Sequence, residues 1–174
     1  HISTAEGCAL IKKAKAAGID VVAETCFHYL VYSQAAIDQY GPFAKCNPPL
    51  RSQEDVEGLW QYIADGTIDM IGSDHAPHQY EEKLAGVDKE IWRAPSGIPS
   101  IEAFIPTLLN QIAKGKLSLE KLAQLVSENT AKIFRLYPQK GCIQINSDAD
   151  MTIVDLQQQT VLSIAKMYTK ARKN

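Results

Sequence analysis

Residues 65–78 read DGTIDMIGSDHAPH. Within them, Ile68 to Gly72 is short, apolar and bounded upstream by Asp65-Gly66, the form of a strand buried on both faces. The strand runs directly into Ser73-Asp74-His75, so a carboxylate stands just past its C-terminal end. Working upstream, Ser52 to Ala64 predicts a helix. Ser52 sits at the cap, Asp55 at the reciprocal capping position, and Val56, Leu59, Trp60 and Ile63 form one apolar face. Ile19 to Thr25 (IDVVAET) reads as a second buried strand. Ala5 to Ala17 reads as a helix closed by Gly18.

Downstream, Pro99 to Ala113 predicts a helix bent at Pro106, which removes one backbone bond. Leu119 to Val126 and Thr130 to Leu136 continue helically, with Ser118 and Asn129 as their caps. The period then changes. Residues 141–145 and 151–155 alternate as short strands around the turn-rich Asn146-Ser147-Asp148. Helix, strand, helix, strand, helix argues for βα units and a parallel sheet, followed by a small β region from about residue 141. Two strands do not complete such a sheet, so the expectation is the closing part of a larger α/β architecture.

Composition narrows the function. The 174 residues are 45% apolar and 22% charged, the proportions of a globular chain rather than a disordered one. Eighteen basic against twenty acidic residues leave no basic face for nucleic acid, and the only basic cluster is Lys170-Ala171-Arg172-Lys173. No apolar run is long enough to span a bilayer. Cys8, Cys26, Cys46 and Cys142 show no Cys-x-x-Cys spacing, which predicts reduced, mostly buried thiols in a cytoplasmic protein.

In a β/α barrel the functional groups sit at the C-terminal ends of the strands. Asp74 occupies that place. His28 follows the 19–25 strand by three residues, and His1 would end a strand preceding the chain. Each has a plainer reading: Asp74 as a turn cap, His28 as a hydrogen-bonded buried histidine. Asp74 rises above its plain reading because His75-Ala76-Pro77-His78 adds further polar groups in a loop too long for a simple connector. An amino-terminal histidine can also chelate copper in a secreted oxidative enzyme; reduced cysteines and the lack of a β-sandwich starting at residue 1 count against that.

The ordered motifs HIST…EG, AETCFHYL, AKCNPPLR, DGTIDMIGSDHAPH, APSGIPSIE, SENTAKIFRLYPQKG and DADMTIVD resemble those of the cyclic amidohydrolases: dihydroorotase, allantoinase, hydantoinase and dihydropyrimidinase. The resemblance implies a TIM (β/α)8 barrel of the metal-dependent amidohydrolase type. Residues 1–136 would be its last strands and helices, and 137–174 part of a small β-sandwich. It implies two divalent metals, usually zinc, with His1 ligating one and Asp74 the other. A His-x-His motif, a carboxylated lysine and a further histidine would lie before residue 1, so the 174 residues alone are expected to be inactive.

The resemblance also implies roles. Asp74 is the catalytic proton carrier. Asn47, His78 and the backbone at Pro95, Ser96 and Gly97 bind a small cyclic amide. Asn47 and His78 look like the pair that holds a dihydroorotate carboxylate, which favours dihydroorotase chemistry over allantoin or hydantoin hydrolysis. A homo-oligomer is expected for the longer chain, and a catalytically inactive binding scaffold of the same fold is the alternative. His28 falls at a position that is not a ligand. Phe27 stands where proline is common, and Asn146-Ser147 replaces a Pro-Gly turn.

Overall fold

Thr4 opens the first helix, α1 (Ala5–Ala16), its hydroxyl accepting the Gly7 N–H at 3.1 Å. The structure, a computed structural model, describes residues 1–87, 90–159 and 161–171; Arg172 and Lys173 of the basic cluster lie outside them. Helix α1 leads to strand β1 (Glu24–Cys26), and then to α2 (Phe27–Val31), α3 (Ala35–Tyr40) and α4 (Gln53–Ala64). Strand β2 (Met70–Gly72) returns parallel to β1, with Glu24 opposite Met70, Thr25 opposite Ile71 and Cys26 opposite Gly72. A parallel pair needs a long crossover, and the helices between the strands supply it.

Helix α4 is built as its pattern predicts. The Ser52 hydroxyl accepts the Asp55 N–H at 3.2 Å, and Val56, Leu59, Trp60 and Ile63 are buried. The Asp55 carboxylate reaches across to accept the Ala5 N–H at 2.9 Å, so one acidic side chain starts α4 and ties it to α1.

The strands are shorter than their sequences suggest. Ile19 and Val22 are exposed rather than buried, because the chain there is held by a side chain instead of a ladder. Asp69 accepts the Ala23 N–H at 2.7 Å and the Lys15 ammonium at 2.6 Å. Ile68 is buried, but its N–H bonds to the Tyr62 carbonyl at the end of α4, which delays β2 until Met70.

After α5 (Tyr80–Leu84), helix α6 (Ile101–Ala113) contains Pro106 as expected. Phe27 starts α2 and packs edge-on against Phe104 of α6, ring centroids 5.7 Å apart, which accounts for an aromatic residue there. The next two expected helices are one. A π-helical turn at Gln124–Glu128 joins α7 (Leu119–Ala123) to α8 (Asn129–Ile133). Asn129 therefore caps nothing; its amide donates to the Asp69 carbonyl at 2.8 Å, docking the π turn on β2.

The expected strands at 141–145 and 151–155 do not form among the described residues. The segment closes on itself instead. Ser147 donates to the Pro138 carbonyl at 2.7 Å, and Lys140 pairs with Asp148 at 2.8 Å. Ile143, Ile145 and Ile153 are 88%, 90% and 98% exposed, so alternation there meets no sheet to pack on. All four cysteines are free, three of them buried. No helix among the described residues is long and apolar enough to cross a membrane.

Candidate active site

His1, Glu24 and Asp74 come together at the ends of the two strands. The Ile2 N–H donates to the Glu24 carbonyl at 2.8 Å and the Thr25 hydroxyl to the Ile2 carbonyl at 2.7 Å, which lays residues 1–3 along β1. His1 Nδ1 lies 2.5 Å from Glu24 Oε1, and its Nε2 lies 3.2 Å from Asp74 Oδ1. The imidazole is thus gripped on one nitrogen and aimed with the other at Asp74. Gly72 makes room for this: a Cβ there would stand 2.9 Å from the Glu24 carboxyl carbon, so the missing side chain leaves space for the carboxylate that holds His1.

Asp74 has φ 45°, a left-handed conformation that an Asp tolerates better than most residues. Its neighbours hold it there. The Ser100 hydroxyl donates to the Ser73 carbonyl at 2.6 Å. His75 Nδ1 accepts the backbone N–H groups of Ser100 and Ile101, both at 3.0 Å, and so caps α6. A cap of this kind requires Nδ1 to be unprotonated.

Two buried groups lie beneath Asp74. Donor atoms of Cys26, His28 and Asp74 fall within 4.8 Å of one another, as do those of His1, Glu24 and Cys26. His28 is fully buried, and among the described residues neither ring nitrogen has a hydrogen-bond partner. It is therefore not the hydrogen-bonded histidine of the plain reading. Burial pushes its pKa down to about 4 against the opposing pull of Asp74, which keeps the ring neutral. Burial, with Glu24 and Asp74 nearby, pushes the Cys26 thiol far up, so it is protonated at neutral pH.

The residues suggested for substrate lie on three adjoining loops. Asn47 is exposed. His78 Nε2 is bonded to the Ser96 carbonyl at 3.0 Å, and its Nδ1 lies 3.8 Å from Glu82. The Gly97 N–H donates to the Lys45 carbonyl at 2.9 Å. Gly97 has φ 140°, and a Cβ on it would lie 2.2 Å from the Ala76 methyl. The glycine is thus demanded by the neighbouring loop, where the sequence suggested room for a ligand.

Sequence reasoning missed Glu24, the capping role of His75, and Lys83, which is buried on α5 among carbonyls. Glu24 had a signal, a lone acid inside the apolar VVAET, but its approach to Gly72 follows only from the pairing of the two strands. His75 and Lys83 had none, since their partners are backbone atoms far along the chain.

The amidohydrolase family profile matches residues 2–174. The chain belongs to the amidohydrolase family. It is 41% identical to an L-hydantoinase of Paenarthrobacter aurescens over 157 residues, 90% of this chain and 34% of that one. It is 41% identical to a dihydroorotase of Bacillus cereus (strain AH820) over 173 residues, 99% of this chain and 39% of that one. The structure superposes on a D-hydantoinase (dihydropyrimidinase) from Thermus sp. with a TM-score of 0.92 at 29% identity, covering 98% of this chain and 38% of that one. The chain thus spans well under half the length of these amidohydrolase relatives.

Proposed function

We propose that this chain carries part of the active site of a metal-dependent cyclic amidohydrolase, with dihydroorotase-type ring opening and closure as its chemistry. The observation that carries the reading is His1, held through Nδ1 by Glu24 and presenting Nε2 at 3.2 Å from Asp74 Oδ1. A carboxylate on one imidazole nitrogen fixes the tautomer and leaves the other as a ligand, the arrangement of metal-binding histidines. The His1 nitrogen and the Asp74 oxygen fit a divalent cation of the zinc type, and the motif resemblance favours two such ions.

A cation held by His1 and Asp74 would supply Lewis acidity and lower the pKa of a water. Asp74 then accepts the proton of the attacking water on its carboxylate and returns it to the ring nitrogen as the C–N bond breaks. Glu24 keeps His1 oriented throughout. The buried, neutral His28 and the protonated Cys26 keep the ground under Asp74 dry, which strengthens its interaction with charge.

In this reading, residues 1–136 belong to the barrel and 137–174 contribute to a β-sandwich of a homo-oligomeric cytoplasmic enzyme. Supporting the division, the buried apolar residues among those described run as far as Ala131, while Ile143, Ile145 and Ile153 alternate on the surface. Asn47 and His78 would hold the substrate carboxylate, and Pro95, Ser96 and Gly97 its ring amide. One observation favours hydantoin or allantoin as the substrate instead. His78 Nε2 is already engaged by Ser96, which leaves only Nδ1 for a carboxylate.

The test is turnover of dihydroorotate, hydantoin and allantoin by the natural protein and its Asp74→Asn variant. Asp74→Asn is expected to lower turnover by roughly 10² to 10⁴ with the fold intact. Near-normal turnover would remove Asp74 from the proton path. A preference for hydantoin or allantoin that His78→Ala leaves unchanged would remove the carboxylate reading. Hydrolysis of none of the three, with metal still bound, would leave the inactive scaffold.

A further inference from the structure

Lys83 is 3% exposed, and among the described residues it is the one buried lysine. Its ammonium donates to three main-chain carbonyls: Pro42 at 3.2 Å, Lys45 at 3.1 Å and Pro95 at 2.8 Å. Three donors thus meet three acceptors. All the hydrogen-bond partners are neutral dipoles, so no carboxylate offsets the desolvation of the charge. Burial accordingly pushes the pKa down to about 8, with Cys46 opposing and Lys45 assisting, and at neutral pH the group in the cage is still the cation. A methionine would avoid that penalty but leave the three carbonyls without these donors, so the ammonium is what ties them together.

Those carbonyls belong to two loops. Pro42 and Lys45 precede Asn47, and Pro95 adjoins Ser96 and Gly97. The Lys45 carbonyl accepts from Lys83 and from the Gly97 N–H together, the latter at 2.9 Å. Lys45 turns its own ammonium onto the carbonyls of Ile91 at 2.9 Å and Ala94 at 2.6 Å. Ser96 is held in turn by His78 at 3.0 Å.

We propose that Lys83 is the positioning residue of the substrate loops: its ammonium pins the Asn47 loop and the Pro95–Gly97 loop at one spacing and so sets how tightly the cyclic amide is held. It touches no reacting atom. The proposal rests on the substrate reading given above for those loops.

Lys83→Met in the natural protein keeps the stem and removes the donors. The KM for whichever cyclic amide is turned over is expected to rise about tenfold or more with kcat nearly unchanged, the mark of lost ground-state binding. A merely structural lysine would give the reverse, an unchanged KM and a kcat lowered in proportion to the folded fraction, and that result overturns the proposal. Hydrogen exchange separates the proposal from the substrate reading. The Gly97 amide is expected to exchange at least about tenfold faster in the variant while the amides of α4 keep their protection. Unchanged Gly97 protection would sink the clamp whatever the substrate, whereas faster exchange in a protein inactive on all three amides would sink the substrate reading and, with it, the part of the proposal that concerns binding. Should Lys83→Met not fold, the unmutated protein decides. A caged ammonium gives a slowly exchanging ¹⁵N-attached proton signal at neutral pH, and a Lys83 exchanging as fast as the exposed lysines would show that the cage does not form.

Discussion

Two regions of the chain carry the same kind of strand pattern and end differently. In residues 1–133, the ends of two expected strands become β1 and β2, each finding the other as a parallel partner, and Leu59 and Ile63 of α4 share one buried cluster with Cys26 and Ile71. Beyond residue 137, GCIQI and MTIVD alternate more regularly than either, and no strand forms among the described residues. Alternation is a statement about which faces a strand would have. Whether there is a strand depends on a partner for its N–H and C=O groups and on a surface for its apolar face.

The contrast can be broken most forcefully in its packed half. Leu59 of α4 is fully buried, and Leu59→Ala is expected to cost about 2–5 kcal/mol by chemical denaturation, because the cavity adds to the lost transfer energy. A cost below about 1 kcal/mol would mean that α4 is not packed as described. Gly72→Ala probes the site rather than the core. The added methyl meets the flexible end of Glu24, so the fold should survive while His1 loses its brace. Zinc affinity of the natural protein, measured by calorimetry, should fall about 10- to 100-fold. Unaltered affinity would remove Glu24 from the metal reading.

Smaller effects sharpen the comparison. Ser52→Ala removes the cap of α4 and should cost about 1 kcal/mol, again by denaturation. Ile153→Ser, at a side chain 98% exposed, should change the stability of residues 1–174 on their own by no more than about 0.5 kcal/mol, and that of the natural protein by more. A loss of several kcal/mol there would show that the alternating segment is covered in the natural protein, as the sandwich reading holds.

Much of the fold was legible before any coordinates. The apolar face of α4, its Ser52 cap, the Pro106 helix and the placing of Asp74 past a strand end all follow from residues a few positions apart. The misreadings share a cause as well. Asn129 looks like a cap because Asn often is one, yet a π turn carries the helix through it and turns its amide to Asp69. Ile19 and Val22 look buried because they are β-branched, yet Asp69 holds the adjoining backbone in place of a neighbouring strand.

For the site, sequence alone determined which groups were candidates: His1, Asp74, Asn47, His78 and the Pro95–Gly97 loop. It also put Asp74 just past a strand end and beside a polar loop. Only the tertiary structure decided which of them meet. It set Glu24 against His1 across Gly72, engaged His78 with Ser96, spent the freedom of Gly97 on Ala76, and seated Lys83 on three carbonyls. The physical reason is range. Helical and strand periods are written by residues that are near in the chain, whereas a hydrogen bond to a backbone atom dozens of residues away depends on where the packed layers bring that atom, and the identity of the residue carrying it leaves no trace in the sequence.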